Sequence, residues 1–223
     1  MLYRTDRDAL LRDFITALAN PNDEELIRYA FEHIDIPQVV EALATMRVVQ
    51  HSEWQHKNHY VMYDPTDQRW RLVPIDFDLT FGRYYHSPCN ALCDEITPQP
   101  YTEYMNGNYF ARVLLDHEPF RSMVDRRTRT LAERYLAPGL VEARLGELLA
   151  SMQPDAERDV RKWGQYGDDQ TMAQAQQVLI DRVLGPRRSV YLDSTTYLPV
   201  AQPAEPNVTI DSIVRTDGVV IRA

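Results

Sequence analysis

The sequence predicts an α+β domain, mostly helical, with one small β-hairpin near its centre. Three observations carry that expectation. Apolar residues recur at three- and four-residue intervals through the first 46 residues and again from Tyr109 to Leu192. Residues 59–77 change period and read as two short strands around a turn. A hydrophobic fraction of 44% over 223 residues supplies one good core with room for a small appendage.

The elements follow in order. Thr5 or Asp6 caps a first helix running to about Asn20, with Leu10, Leu11, Phe14, Ile15 and Leu18 on one face. Pro21-Asn22-Asp23 starts a second helix through His33, whose stripe is Leu26, Ile27, Ala30 and Phe31. Pro37 opens a third, short helix with Val39, Val40, Leu43 and Met46 inward. Tyr60–Tyr63 and Trp70–Val73 are the strands, and Asp64-Pro65-Thr66-Asp67-Gln68 between them is turn chemistry. Residues 83–107 are rich in Pro, Tyr and Asn and read as irregular. Helical patterns resume over Tyr109–Leu115, Phe120–Leu136, Leu140–Met152, Ala156–Trp163 and Thr171–Leu184, with Arg187–Leu192 extending or following the last. Trp70 and Trp163 are expected in the core.

Two units result: a domain over 1–198, and a linker with a short β segment over 199–223. The linker is the Pro-rich run 199–206, and Thr216-Asp217-Gly218 is a hairpin turn between the final strands.

The totals exclude several classes. A net charge of −9 argues against a general nucleic-acid binder. No run of about 18 apolar residues predicts a membrane span, and Met1-Leu-Tyr-Arg-Thr-Asp lacks the basic start and apolar stretch of a signal peptide. Cys89 and Cys93 are too few for a disulfide framework and read as free thiols or a minor local bridge. Lys57 and Lys162 are the only lysines among 24 basic side chains; the rest are arginines.

One constellation carries chemistry. Phosphoryl transfer asks few groups of a protein. A carboxylate orients or accepts the hydroxyl proton, while an amide oxygen and a second carboxylate hold Mg2+ against the phosphates. Ordinary protein kinases arrange these as H-R-D-x-x-x-x-N, a hairpin, then D-F-G. Here His51-Ser52-Glu53 is followed by Asn58 five residues after the glutamate, then the hairpin, then Asp76-Phe77-Asp78. The hairpin is expected to bring Asn58 at its start beside Asp76 at its end, where both face one metal ion. Alone, each residue has an ordinary reading: D-F-D as a surface turn, Asn58 as a turn former, Glu53 and Lys57 as solvated charges. His51 reads as a scaffold residue holding the loop by a backbone hydrogen bond. Tyr84-Tyr85-His86, Tyr101 and Tyr104 read as loop packing, with peptide binding as the sharper alternative. Arg126, Arg127 and Arg129 read as a solvated or salt-bridged helix face.

The surrounding text is more specific. Lys57-Asn58-His59-Tyr60, then Tyr63-Asp64-Pro65, then Arg69-Trp70-Arg71-Leu72-Val73-Pro74-Ile75-Asp76-Phe77-Asp78-Leu79-Thr80-Phe81-Gly82 resembles the CotH kinase family of atypical protein kinases. That family reads K-N-x-Y-L-Y-x-D, then W-x-x-[IV]-P-W-D-L-D-x-[TS]-F-G. The match is dense over residues 51–82. It is looser over Asp155–Gly164 and over the helix bearing Arg187 and Tyr191.

The resemblance implies a protein-kinase-like C-lobe with the hairpin at its active-site cleft. It implies ATP and Mg2+ as cofactors and a protein substrate bearing Ser/Thr hydroxyls. Asp76 corresponds to the metal-binding aspartate, Asn58 to the amide of the catalytic loop, and Glu53 to the position of the catalytic aspartate. Asp78, the second aspartate of the motif, implies metal or supporting duty. The family also implies a spore coat or an exported protein as the setting.

Two positions depart from the pattern. Ile75 replaces a tryptophan, a packing change. Glu53 replaces aspartate, which preserves basicity but shifts the carboxylate by about an ångström, a misplacement that can cost on the order of 10²-fold. Kinases also grip the nucleotide with a strand lysine and a glycine-rich loop upstream of the catalytic loop. Here the first glycine is Gly82 and the first lysine is Lys57. The expectation is therefore a C-lobe without its nucleotide-clamping N-lobe. A partner-binding pseudokinase-like module is the second reading. A metal-dependent hydrolase using Glu53, Asp76 and Asp78 is the third, weaker because it needs neither Asn58 nor the hairpin.

Overall fold

The computed structural model describes residues 4–51, 54, 57–81, 108–164, 171–192, 214–215 and 219–220. Three helices open the chain: α1 (Arg4–Leu18), α2 (Asp23–His33) and α3 (Ile36–Val48). The hairpin β1 (His59–Asp64) and β2 (Arg69–Pro74) follows. Then come α4 (Tyr109–Leu115), α5 (Glu118–Tyr135), α6 (Leu140–Trp163) and α7 (Met172–Val178). A π-helical turn, Leu179–Leu184, joins α7 to α8 (Gly185–Leu192), and β3 (Val214–Arg215) pairs with β4 (Val219–Val220). The fold is α+β and mostly helical, as the periodicity predicts.

Local signals explain the helix starts. The Asn22 side chain accepts from the Glu24 and Glu25 amides, and Asp35 accepts from that of Gln38, with Pro37 in the first turn of α3. Asn108 and Thr171 cap α4 and α7 in the same way. Each side chain satisfies donors that the first helical turn leaves without partners.

The core gathers around α3, which packs against α5 on one side and β2 on the other. Ala44 and Met46 of α3 are fully buried, as are Leu72 of β2 and Thr128 of α5. Phe14 of α1 stacks on Trp70 at 4.3 Å and meets Phe110 of α4 edge-on at 5.5 Å. The hairpin is tied to α3 by side chains as well as by packing. Gln38 lies against Leu72 like a strand: its Nε2–H donates to the Leu72 carbonyl at 2.7 Å and its Oε1 accepts the Leu72 N–H at 3.0 Å. The Asp35 N–H donates to the Trp70 carbonyl at 2.9 Å. Arg71 reaches Asp35 at 3.0 Å and Asp64 at 2.7 Å, and also bonds Asp67 in the turn.

Three sequence expectations are corrected. Leu11 and Ile15 are exposed, so the inward stripe of α1 is the narrower Leu10, Phe14 and Leu18. The two helices expected on either side of Pro154 are one continuous helix, α6. Proline removes one bond to the carbonyl four residues earlier, that of Ala150. Both residues are exposed, so water can take that carbonyl's bond and the helix continues. Trp163 is 72% exposed, with the Lys162 ammonium 4.5 Å over its ring, and is no part of the core. Among the described residues, no helix is long and apolar enough to cross a membrane.

Candidate functional site

The site begins where α3 ends. The last carbonyls of any helix lack intrahelical donors. Here α8 supplies them. Arg187 donates through Nε to the Val48 carbonyl at 3.1 Å and through its guanidinium to the Gln50 side chain at 2.7 Å, and it also reaches the Arg47 carbonyl. The Tyr191 hydroxyl accepts from Arg187 at 2.7 Å and donates to the Arg47 carbonyl at 2.9 Å. A cation at a helix C-terminus is favoured by the helix dipole as well. The chain then turns sharply at Gln50, whose φ is 48°.

His51, fully buried, joins the two ends of the candidate loop. Its amide donates to the Met46 carbonyl at 2.9 Å, and its Nε2 lies 3.0 Å from the Ile75 carbonyl. A carbonyl only accepts, so Nε2 carries the proton. Its Nδ1 is buried without a hydrogen-bond partner among the described residues. The ring packs against Phe77 at 4.8 Å. Nearby, the Phe81 amide donates to the Val49 carbonyl at 2.6 Å. The segments 49–51 and 75–81 are thereby held against one another.

The hairpin register pairs His59 with Pro74. One step outward, the Ile75 amide donates to the Asn58 carbonyl at 2.8 Å. Asn58 therefore stands beside the residue preceding Asp76. Asn58 has φ 63° and Asp76 has φ 57°, the left-handed region that Asn and Asp tolerate better than other side chains. Asn58 is half-buried, while Asp76 and Asp78 are exposed. One oxygen of Asp78 accepts the Leu79 amide at 2.9 Å, and the Thr80 hydroxyl donates to the Phe77 carbonyl at 3.0 Å, so Asp78 also builds its own turn. Phe81, a bulky residue, has φ 53°. Of the five non-glycine residues with positive φ among the described residues, four (Gln50, Asn58, Asp76 and Phe81) lie in this frame and the fifth, Gln68, in the hairpin turn. Such conformations cost on the order of 1–3 kcal/mol each and tend to cluster where function requires them.

Glu53 lies outside the described residues, as do Gly82, Cys89, Cys93, Tyr84, Tyr85, His86, Tyr101 and Tyr104. Lys57 is exposed at the loop. No group of three or more His, Cys, Asp or Glu side chains converges as a metal cage among the described residues. The donor types at hand are an amide and two carboxylates, hard oxygen ligands of the kind Mg2+ takes alongside substrate phosphates.

Beneath the frame lies a buried ion pair. Arg47 and Asp125 meet at 2.8 Å, with Thr128 3.4 Å from the same guanidinium nitrogen. Burial pushes the Asp125 carboxyl above the usual range, and the facing Arg47 pulls it part of the way back. On the exposed side, the Thr66 amide and then Arg71 hold the Asp64 carboxyl below the usual range. Sequence reasoning left four supporting groups unread: Gln38, the Arg47–Asp125 pair, the Arg71 carboxylates and an Asn108–His59 contact. Their partners lie as far as 81 residues away in the chain, as with Arg47 and Thr128, and only cap-forming Asn108 and Asp35 leave a local trace.

Comparison with known proteins bears on the whole of this frame. The family model for the CotH kinase protein matches residues 3–190. No curated protein matches the chain.

Proposed function

The chain belongs to the CotH kinase family, and from that premise we propose that it performs Mg2+-dependent transfer of the γ-phosphoryl group of ATP to Ser/Thr hydroxyls of a protein substrate. The observation that carries the reading is the hairpin closure. The Ile75 amide bonds the Asn58 carbonyl, so Asn58 and Asp76 leave the hairpin side by side, each in a left-handed conformation.

The roles follow from chemistry. The Asn58 amide oxygen and the Asp76 carboxylate would hold Mg2+, with Asp78 as a third oxygen donor or as support for the turn. Bound Mg2+ would neutralise charge on the transferring phosphoryl group and orient it. The substrate hydroxyl oxygen attacks the γ-phosphorus, the bond to ADP breaks, and Glu53 takes the hydroxyl proton. Glu53 has that role from its place in the family motif. His51 serves as a strut between the loop and the hairpin exit. In this reading residues 1–198 act as the kinase C-lobe.

The test is transfer of label from γ-labelled ATP to casein in the presence of Mg2+. Label on serine or threonine, lost by 10²-fold or more in Asp76→Asn, supports the proposal; that magnitude is on the order of removing one charge-stabilising group. Binding of Mg–ATP without transfer turns the assignment toward the partner-binding module. No binding by the wild-type chain or by an upstream-extended form overturns the kinase assignment.

A further inference from the structure

We infer that His59, held by Asn108 as its neutral Nδ1–H tautomer, is a positioning residue that sets the conformation of Asn58. The inference rests on the reading of Asn58 as a metal-facing amide.

Asn108 is 4% exposed and caps α4. Its Oδ1 accepts the Ala111 amide at 2.9 Å, a bond that only the oxygen of the side-chain amide can make. The other end of the amide must then be Nδ2, and it lies 3.1 Å from Nε2 of His59. An amide NH2 only donates, so Nε2 accepts and carries no proton. The single proton of the neutral ring sits on Nδ1, which lies 3.1 Å from the Lys57 carbonyl, a group that only accepts. One backbone N–H thus dictates the orientation of Asn108, the tautomer of His59 and the direction of its bond to Lys57.

That last bond spans Asn58. On one flank, the Lys57 carbonyl is held by the His59 ring; on the other, the carbonyl of Asn58 itself is held by the Ile75 amide. Both peptide groups around a residue at φ 63° are restrained, and Asn58 is held in the strained conformation on which the site depends. The opposite tautomer does not fit. It would direct an Nε2–H at the Asn108 NH2. Turning that amide over would set its NH2 against the Ala111 N–H and lose the cap. The two groups bonded to the ring, the Asn108 amide and the Lys57 carbonyl, are both uncharged.

The experiment uses the full chain with three variants. Asn108→Asp keeps a good helix cap but replaces the donor to His59 with an acceptor. His59→Leu removes the ring, and His59→Asn keeps a donor near the Nδ1 position. Long-range nitrogen NMR reports the tautomer. Exchange of the Ile75 amide, corrected for its intrinsic rate, reports whether Asn58 is held. Calorimetry reports Mg–ATP affinity.

The parent is expected to show the Nδ1–H tautomer at pH 7.5. His59→Leu should lower protection roughly five- to tenfold at pH 7.5, the worth of about one hydrogen bond, and His59→Asn should recover part of it. In Asn108→Asp the introduced carboxylate only accepts, so the ring's N–H should turn to Nε2, the bond to the Lys57 carbonyl should be lost, and Ile75 protection and Mg–ATP affinity should fall. An Nε2–H tautomer in the parent overturns the inference. So does Ile75 exchange that is the same in the parent, His59→Leu and Asn108→Asp. If the parent does not bind Mg–ATP, the metal reading of Asn58 falls, while tautomer and exchange still decide the clamp.

Discussion

Between Met46 and Phe81, turn after turn is tied to a partner distant in the chain: His51 to Ile75, Phe81 to Val49, and Arg187 to the end of α3, with Gln38 fixing Leu72 from the start of that helix. Helix α6 is built the other way. Its 24 residues include no buried side chain, and its ion pairs, Arg144–Glu147 and Arg158–Asp155, are local and exposed. Its long-range ties lie near its start, where Arg188 meets Glu142 at 2.7 Å and the half-buried Val141 and Leu145 pack against the core. The first region holds strained residues in place through buried struts. The second holds itself up by local helix energetics. Substitutions should therefore be costly in the first and nearly silent in the second.

The largest expected effect is at the buried pair. Arg47→Met or Asp125→Ala alone strands the other charge and should cost about 3–5 kcal/mol in urea unfolding, while Arg47→Met combined with Asp125→Leu should cost much less than the sum. Next comes the contact between α3 and β2. Leu72→Ala, at a fully buried position, should cost about 2–5 kcal/mol. Gln38→Leu leaves the Leu72 amide and carbonyl without their side-chain partner and should cost about 1–3 kcal/mol.

Asp76→Gly tests the strain directly. Glycine adopts positive φ freely, so the fold should gain up to about 1 kcal/mol while Mg–ATP binding is lost. A loss of stability there would mean that the backbone of Asp76 is not strained.

The acid limb of stability separates the regions by sign. Arg188 holds the Glu142 carboxyl below its usual range, so its stabilisation is present above the ordinary glutamate pKa of about 4.3 and is lost as pH falls through its lowered value. Glu142→Gln should flatten the acid-side fall in stability. Asp125 has the opposite sign: its raised carboxyl favours the folded state as pH falls toward the ordinary aspartate value. At the small end, Trp163→Ala should change stability by no more than about 0.5 kcal/mol, because the ring is exposed.

The same contrast explains what could be read from the sequence. The hairpin was legible because its signals are local. Alternating strands flank the Asp64–Gln68 turn, and the observed register is the one those strands allow. The starts of α2 and α3 were legible for the same reason, through Asn22, Asp35 and Pro37. The adjacency of Asn58 to the Asp76 side of the hairpin followed from the turn alone. What failed was the inference from periodicity to burial. Leu11, Ile15 and Trp163 carry apolar side chains at helical spacing, yet whether a neighbour covers them is decided by the rest of the chain. Pro154 lies between the two helical patterns of the sequence, yet on an exposed helix the carbonyl it frees can be hydrated and the helix runs through. Gln38 and Arg187 were illegible as struts because nothing in their own segments names Leu72 or Val48 as partners.

In the proposed mechanism Asn58 and Asp76 meet one metal-bound nucleotide. The most direct measurement is a double-mutant cycle on Mg–ATP affinity by calorimetry, using the parent, Asn58→Ala, Asp76→Asn and the double variant in chain 1–223 and in an upstream-extended form. Residues sharing one ligand couple by about 0.5–3 kcal/mol, so the double variant should bind little worse than Asp76→Asn alone. Losses that simply add, or Mg–ATP affinity unchanged by either single substitution, would contradict the account.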